Sequence, residues 1–356
     1  MAVLFSRTRF GIQSWIACVT LGYALSSCLA QESHSGEEGQ TRSAMEGIAI
    51  LPSRTDPEIK TFDFPHHLHV DRDIVIRKAP EKAAERHELL LWLTGTGGRS
   101  RGAEEFCKLA ASQGYHVIKL MYPDDIPATV CKRDEDPKSF EEFRLSIIQG
   151  GKGPHISIPR AESIENRLIK LLKLLSQIRA RENWGQFLDE SGDLVWEKLV
   201  PAGQSQGGGH AFLIGMKHPV ARVIGSGGPK DWSLMSARSA AWLVGESATP
   251  KERFFTFNHQ QDYQGCTPEQ QWATLDAFGL TKFAPLVSVD EKRAPFDHSR
   301  CLTTDYPGGK LESGPAHTSV IANKNADLFR PVWLYMLTAP LSVAAGAHYQ
   351  PAKAEY

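Results

Sequence analysis

Residues 201–210, PAGQSQGGGH, constrain this chain more than any other stretch. Ser205 stands between Gly203 and Gly207, directly after the apolar run 198–203 and directly before residues that can continue as a helix. A strand that passes straight into a helix must bend within about one residue, and glycines two before and two after the bend lack the side chains that would collide there. The residue at the bend is then presented above the sheet edge at a helix N-terminus, where developing negative charge is favoured. The alternative is an incidental glycine turn. Flanking strand and helix patterns favour the nucleophile.

The rest of the chain alternates short apolar runs with amphipathic ones. Strands are predicted over 73–77 (DIVIR), 88–94, 115–121, 198–203, 221–226, 253–258 and 285–289, and helices over 102–113, 161–181, 206–217, 268–278 and 330–337. Alternation of this kind in 356 residues, 41% hydrophobic and 23% charged, predicts one large α/β domain. Its central sheet should be mostly parallel, with helices on both faces. The excursion 122–160, with several prolines and CKRDEDPK, reads as a loop-rich insertion and possible cap over a site. Residues 31–46 read as a polar leader, 47–340 as the folded domain and 341–356 as a tail.

Arg7, Arg9, an apolar stretch over 10–25 and small residues up to Ala30 read as an export signal over residues 1–30. A cleavage site at Ala30 competes with a lipobox that would leave Cys28 lipidated. Gln13, Ser14 and Thr20 disfavour a transmembrane anchor, so a membrane is expected as partner only through Cys28. Past residue 30 four cysteines remain, which permit three pairings; Cys266 with Cys301, both near the nominated site, is the favoured one. No CxxC or HExxH spacing is present, so neither a metal nor a cofactor is expected. The formal net charge is -1 with scattered basic residues, which argues against nucleic acid as a partner.

A serine nucleophile needs a base, and in a sheet wound this way the acid and the histidine follow the serine on loops at strand ends. Asp262, after the run 253–258, is the first choice of acid, and Asp231, after the preceding strand, is the alternative. His317 in SGPAHTSVI, read as a loop before the last helix, is the first choice of base. His298 is the alternative, ahead of His259 and His210. The oxyanion should be held by the N–H groups of Gln206, next to the serine, and of Thr96 in LTGTGG, with Gly95 or Gly97 as substitutes for the latter. Trp232, Trp242 and Tyr263 are candidate substrate contacts, with core packing as the ordinary explanation for aromatics.

With LTGTGG, GQSQGGGH, GPKDW, the HQQD segment and AHTSVI assembled, the chain resembles the α/β-hydrolase superfamily from about residue 88 to residue 337. More narrowly it is similar to a group of exported bacterial serine hydrolase-like proteins with LxGTGG early, GHSQGxGH at the turn and a late histidine. Gln204 departs from that pattern, where many hydrolases carry histidine. The resemblance implies an α/β-hydrolase fold and an exported esterase acting on a small-molecule or polymer ester through Ser205, His317 and Asp262. A non-catalytic binding protein on the same scaffold and a peptidase or amidase using the same triad are the alternatives.

Overall fold

The computed structural model describes residues 45–99 and 102–342. The expected export signal with Cys28, the leader up to residue 44 and the tail from residue 343 lie outside the described residues. Strands run in chain order as β1 (Met45–Ile50), β2 (His66–Asp71), β3 (Leu89–Leu93), β4 (His116–Leu120), β5 (Gly151–Gly153), β6 (Ile156–Ile158), β7 (Leu199–Gln204), β8 (Val223–Ser226), β9 (Trp232–Ser233), β10 (Arg238–Ser239), β11 (Phe254–His259), β12 (Val287–Ser288) and β13 (Cys301–Thr304). The pairs β5–β6 and β9–β10 are small hairpins. The other nine form one sheet in the order β1-β2-β4-β3-β7-β8-β11-β13-β12. Only β2 runs against the rest: it pairs antiparallel with β1 and β4, and every other neighbouring pair is parallel.

The helices are α1 (Arg72–Val75), α2 (Glu104–Ser112), α3 (Ser139–Gln149), α4 (Ile164–Ile178), α5 (Gln206–Lys217), α6 (Pro268–Phe278), α7 (Ser313–Ser319) and α8 (Ala326–Thr338). Side chains alternate across a strand, so LLLWL in β3 feeds two cores at once. Leu89, Leu91 and Leu93 pack with the leucine stripe of α4 and with Phe212 and Leu213 of α5. Leu90 and Trp92 pack on the other face with Phe106 and Leu109 of α2 and Trp333 of α8. Burial on both faces matches the wholly apolar β3, whereas β4 and β11 are equally buried yet include the polar side chains His116, Lys119, Thr256, Asn258 and His259. Because β3, β7, β8 and β11 are parallel, their carboxyl ends open on one edge, and the loops leaving them meet there.

Local signals set several boundaries. Thr267 and Gln270 form a reciprocal capping box at the start of α6, Pro268 follows the cap, and Gly279 ends the helix at φ +97°. The expected strand over 73–77 is a correction: Asp71 accepts hydrogen bonds from the N–H groups of Asp73 and Ile74 and starts the helical turn α1 instead. The strand at this point is β2, whose three histidines interrupt the apolar pattern while Leu68 and Val70 are buried. The run expected over 285–289 contributes only the two-residue β12, and the buried β13 stands between it and β11. The segment 122–160 is not mainly loop, since α3 buries Phe140, Phe143, Ile147 and Ile148 in the first core.

The Cys266–Cys301 bridge is also corrected. Cys107, Cys131, Cys266 and Cys301 are all buried free thiols. A disulfide requires the two Cβ atoms to face each other. Cys301 instead packs into the first core, whereas Cys266 lies beside Lys230 and Asp262. None of the helices among the described residues is long and apolar enough to cross a membrane.

Candidate active site

Ser205 occupies the single residue between β7 and α5, at φ 56° and ψ -118°. That region is sparsely populated for any residue with a side chain, so the surroundings must hold it. Its N–H donates to the Ser226 carbonyl at 2.8 Å, and its carbonyl accepts from the Gly209 N–H at 3.1 Å. The flanking glycines are sterically required: a Cβ on Gly203 would lie 2.4 Å from the Gly207 carbonyl carbon, and one on Gly207 would lie 2.1 Å from the Leu93 carbonyl oxygen. The amide of Gln206 is in the first turn of α5, where helical N–H groups have no intrahelical acceptor.

Asp262 sits in the turn leaving β11 and is fully buried. Its Oδ2 accepts from His317 Nδ1 at 2.6 Å and from Lys230 Nζ at 2.6 Å, and its Oδ1 accepts from the Gln264 N–H at 3.0 Å. Burial alone would push this carboxyl up, but the His317 hydrogen bond and the Lys230 ammonium outweigh it and hold the group below its ordinary value. His317 lies on α7 rather than in a loop as expected, and the ring packs against Gly227, where a Cβ would come within 3.3 Å of Cε1 and Nδ1. The adjacent Gly228 packs against Ser205, where its Cβ would lie 2.7 Å from the serine carbonyl oxygen. Two successive residues after β8 thus touch the serine and the histidine.

Ser205 and His317 line one cavity of about 540 Å³, together with Thr96, Gln206, Lys230, Arg144 and Gln264. Among the described residues Ser205 Oγ has no hydrogen-bond partner. Thr96 leaves its N–H without a partner among the described residues, whereas Gly97 donates to the Asp124 carbonyl and Gly98 to the Gly95 carbonyl. Of the three positions considered in LTGTGG, Gly97 is therefore unavailable as a donor. The Gln206 carboxamide clamps this region: Oε1 accepts from Thr96 Oγ1 at 3.1 Å and from the Ala128 N–H at 2.8 Å, and Nε2 donates to the Ile126 carbonyl at 3.1 Å.

The alternatives are occupied elsewhere. Asp231 is locked in a bidentate pair with Arg144, Nε to Oδ2 at 2.7 Å and Nη2 to Oδ1 at 2.5 Å, and also accepts from Trp242 Nε1 at 2.9 Å. His298 is exposed on a short turn. His259 uses both ring nitrogens on backbone, the Gln261 N–H and the Tyr306 carbonyl. His210 is buried beside Arg144. The aromatic contacts are corrections: Trp232 and Tyr263 do not line the cavity, Tyr263 being 58% exposed because its neighbour Asp262 turns inward, and Trp242 is buried as the partner of Asp231. Cys131, Asp134 and His155 place three metal-ligand atoms within 4.8 Å of one another outside this cavity, with His155 Nε2 already 2.8 Å from Asp134.

No protein-family model and no curated protein matches the chain. Among solved structures, it is similar to a dienelactone hydrolase-type protein from Klebsiella pneumoniae at 11% identity and a TM-score of 0.37, covering 82% of this chain and 98% of that one. A dipeptidyl aminopeptidase IV-type protein from Bacteroides ovatus matches at 13% identity and 0.37, with 82% and 35% coverage, and esterase B from Lactobacillus rhamnosis at 11% and 0.37, with 82% and 91%. Such distant likeness says nothing about chemistry. The deciding features are internal: a single reversed strand, β2, beside an otherwise parallel sheet, and a serine at positive φ between β7 and α5. This is an α/β-hydrolase fold.

Two residues beside this cavity escaped sequence reasoning. Lys230 stands one position before Asp231 in GPKDW, where a lysine between a buried strand and a tryptophan was the available signal. Arg144 lies in FEEFRLSII, at a position that shares the buried face of α3 with Phe140, Phe143, Ile147 and Ile148. A charge on a core-facing stripe implies a buried partner.

Proposed function

We propose that this chain is a serine hydrolase that cleaves carboxylic esters through an acyl-enzyme. The observation that carries the reading is the 2.6 Å contact from His317 Nδ1 to the buried Asp262 carboxylate, in a histidine whose ring opens on the same cavity as Ser205. With Nδ1 donating to Asp262, the lone pair of Nε2 is the base. Ser205 Oγ attacks the ester carbonyl while Nε2 takes its proton. The N–H groups of Thr96 and Gln206 receive the oxyanion, and His317 returns the proton to the leaving alkoxide. Water then repeats the sequence on the acyl-serine. The cavity volume is in the range typical of small-molecule sites, which supports a small ester or the end of a polymer as substrate.

Residues 1–30 complete the proposal as an export signal, so that the enzyme works outside the cytoplasm. Mass measurement of the mature N-terminus distinguishes cleavage after Ala30 from lipidation at Cys28. The catalytic reading is tested by a fluorophosphonate probe and a short p-nitrophenyl ester: wild type should be labelled and turn over, and Ser205→Ala should do neither while keeping its circular dichroism. Undiminished turnover in Ser205→Ala overturns the assignment, and a wild type that is never labelled favours a binding protein on the same scaffold.

A further inference from the structure

Lys230 leaves the end of β8 and is only 8% exposed. Its Nζ has three acceptors, Asp262 Oδ2 at 2.6 Å, the Gln264 carbonyl at 2.8 Å and the Asp262 carbonyl at 3.3 Å. All three belong to the turn that carries the candidate acid. The first is the very oxygen that accepts from His317 Nδ1, so an ammonium and an imidazole share one carboxylate oxygen inside the protein.

We propose that Lys230 is a positioning residue of the site: it pins the acid turn under His317 and, by sharing the Asp262 carboxylate, keeps the imidazole available as a base at lower pH than a carboxylate serving the histidine alone would allow. The inference rests on the triad proposed above. Its electrostatic logic is direct. A proton arriving on His317 is attracted by Asp262 and repelled by Lys230, and at these separations, away from bulk water, both effects are substantial. Burial lowers the Lys230 ammonium below its ordinary value, and the Asp262 charge opposes that shift. The remaining groups facing this cluster do not replace it. The Cys266 thiol is pushed up to about 11 by burial and stays neutral, Asp231 is neutralised by Arg144, and Lys132 acts on Lys230 and Cys266 without a hydrogen bond to Asp262.

The test is the pH dependence of kcat/KM for a short p-nitrophenyl ester in wild type, K230M, K230Q and K230R, each checked for folding by circular dichroism, with fluorophosphonate labelling of Ser205 followed in parallel. K230M and K230Q should move the acid limb of the profile, and the pH at which labelling sets in, upward by about one pH unit. K230R should leave the limb in place whatever it does to the plateau. A uniform loss at every pH with an unmoved limb, in whichever of K230M and K230Q folds, means that Lys230 only supports the turn and overturns the electrostatic role. Absence of both turnover and labelling in wild type overturns the triad, and this role with it.

Discussion

Arg144 and Asp231 form a bidentate ion pair in which both side chains are 2% exposed. The arginine comes from α3, inside the segment expected to be a cap, and its Nη1 also donates to the Gln206 carbonyl at 3.0 Å. Gly209 makes room for it, since a Cβ there would lie 2.3 Å from Nη2. The pair therefore ties the insertion to the first turn of α5, the helix that follows Ser205.

Breaking this pair leaves an uncompensated buried charge, which typically costs about 3–5 kcal/mol. Arg144→Met and Asp231→Asn should each lower the thermal midpoint strongly. The double variant should lose less than the sum of the two. Asp262→Asn should behave differently, reducing kcat about 1,000-fold or more. An activity loss in Asp231→Asn with an unaffected Asp262→Asn would transfer the acid role to Asp231.

Gly207 lies against the end of β3, and an added Cβ would meet backbone on that side rather than a movable side chain. Gly207→Ala should cost about 3 kcal/mol or more and abolish soluble expression or labelling. Gly309→Ala is the control: its φ is +70° but nothing lies within 4 Å of the added Cβ, so the cost should be about 1 kcal/mol.

Asp124 supports the loop that holds Thr96, accepting from Thr94 Oγ1 at 3.0 Å through its side chain and from the Gly97 N–H through its carbonyl. Burial raises its carboxyl to about 6. A carboxyl raised on folding stabilises the native state most below its unfolded value near 3.8 and loses that contribution as pH rises through about 6. Asp124→Asn should therefore flatten the fall in thermal midpoint between pH 4 and pH 7. An unchanged slope in the variant refutes the assignment.

Gln206→Ala removes the acceptor shared by Thr96 Oγ1 and the Ala128 N–H, leaving a buried amide unpaired at a cost of about 1–3 kcal/mol. If the clamp positions the Thr96 amide, kcat should fall about 10–100-fold with a smaller change in KM. Gln206→Glu keeps the acceptor oxygen and should recover part of that loss. A pure KM effect would assign the residue to substrate binding instead.

The site was legible where chemistry and backbone geometry coincide on neighbouring residues. The glycines around Ser205 encode a turn only they can make, and Thr267, Pro268 and Gly279 bracket α6 within the same short stretch. Asp262 and His317 were nominated by chain order, and the structure brings them into contact across 55 residues. β2 was not legible because His66, His67 and His69 mask its buried Leu68 and Val70, and α1 replaced a strand through a single cap from Asp71. The partnerships of Arg144 and Lys230 span 87 and 32 residues, and no local pattern names a partner at that distance.

From Gln206 to Met216 every residue of α5 is buried, and its glycines admit neighbouring backbone, the Arg144 guanidinium or, at Gly215, the Val223 and Phe254 side chains. A rod enclosed on all sides has no freedom to re-aim the serine. Changes in what the cavity admits then fall to side chains that rim it, such as Pro127, Thr129 and Thr318, rather than to the rod itself.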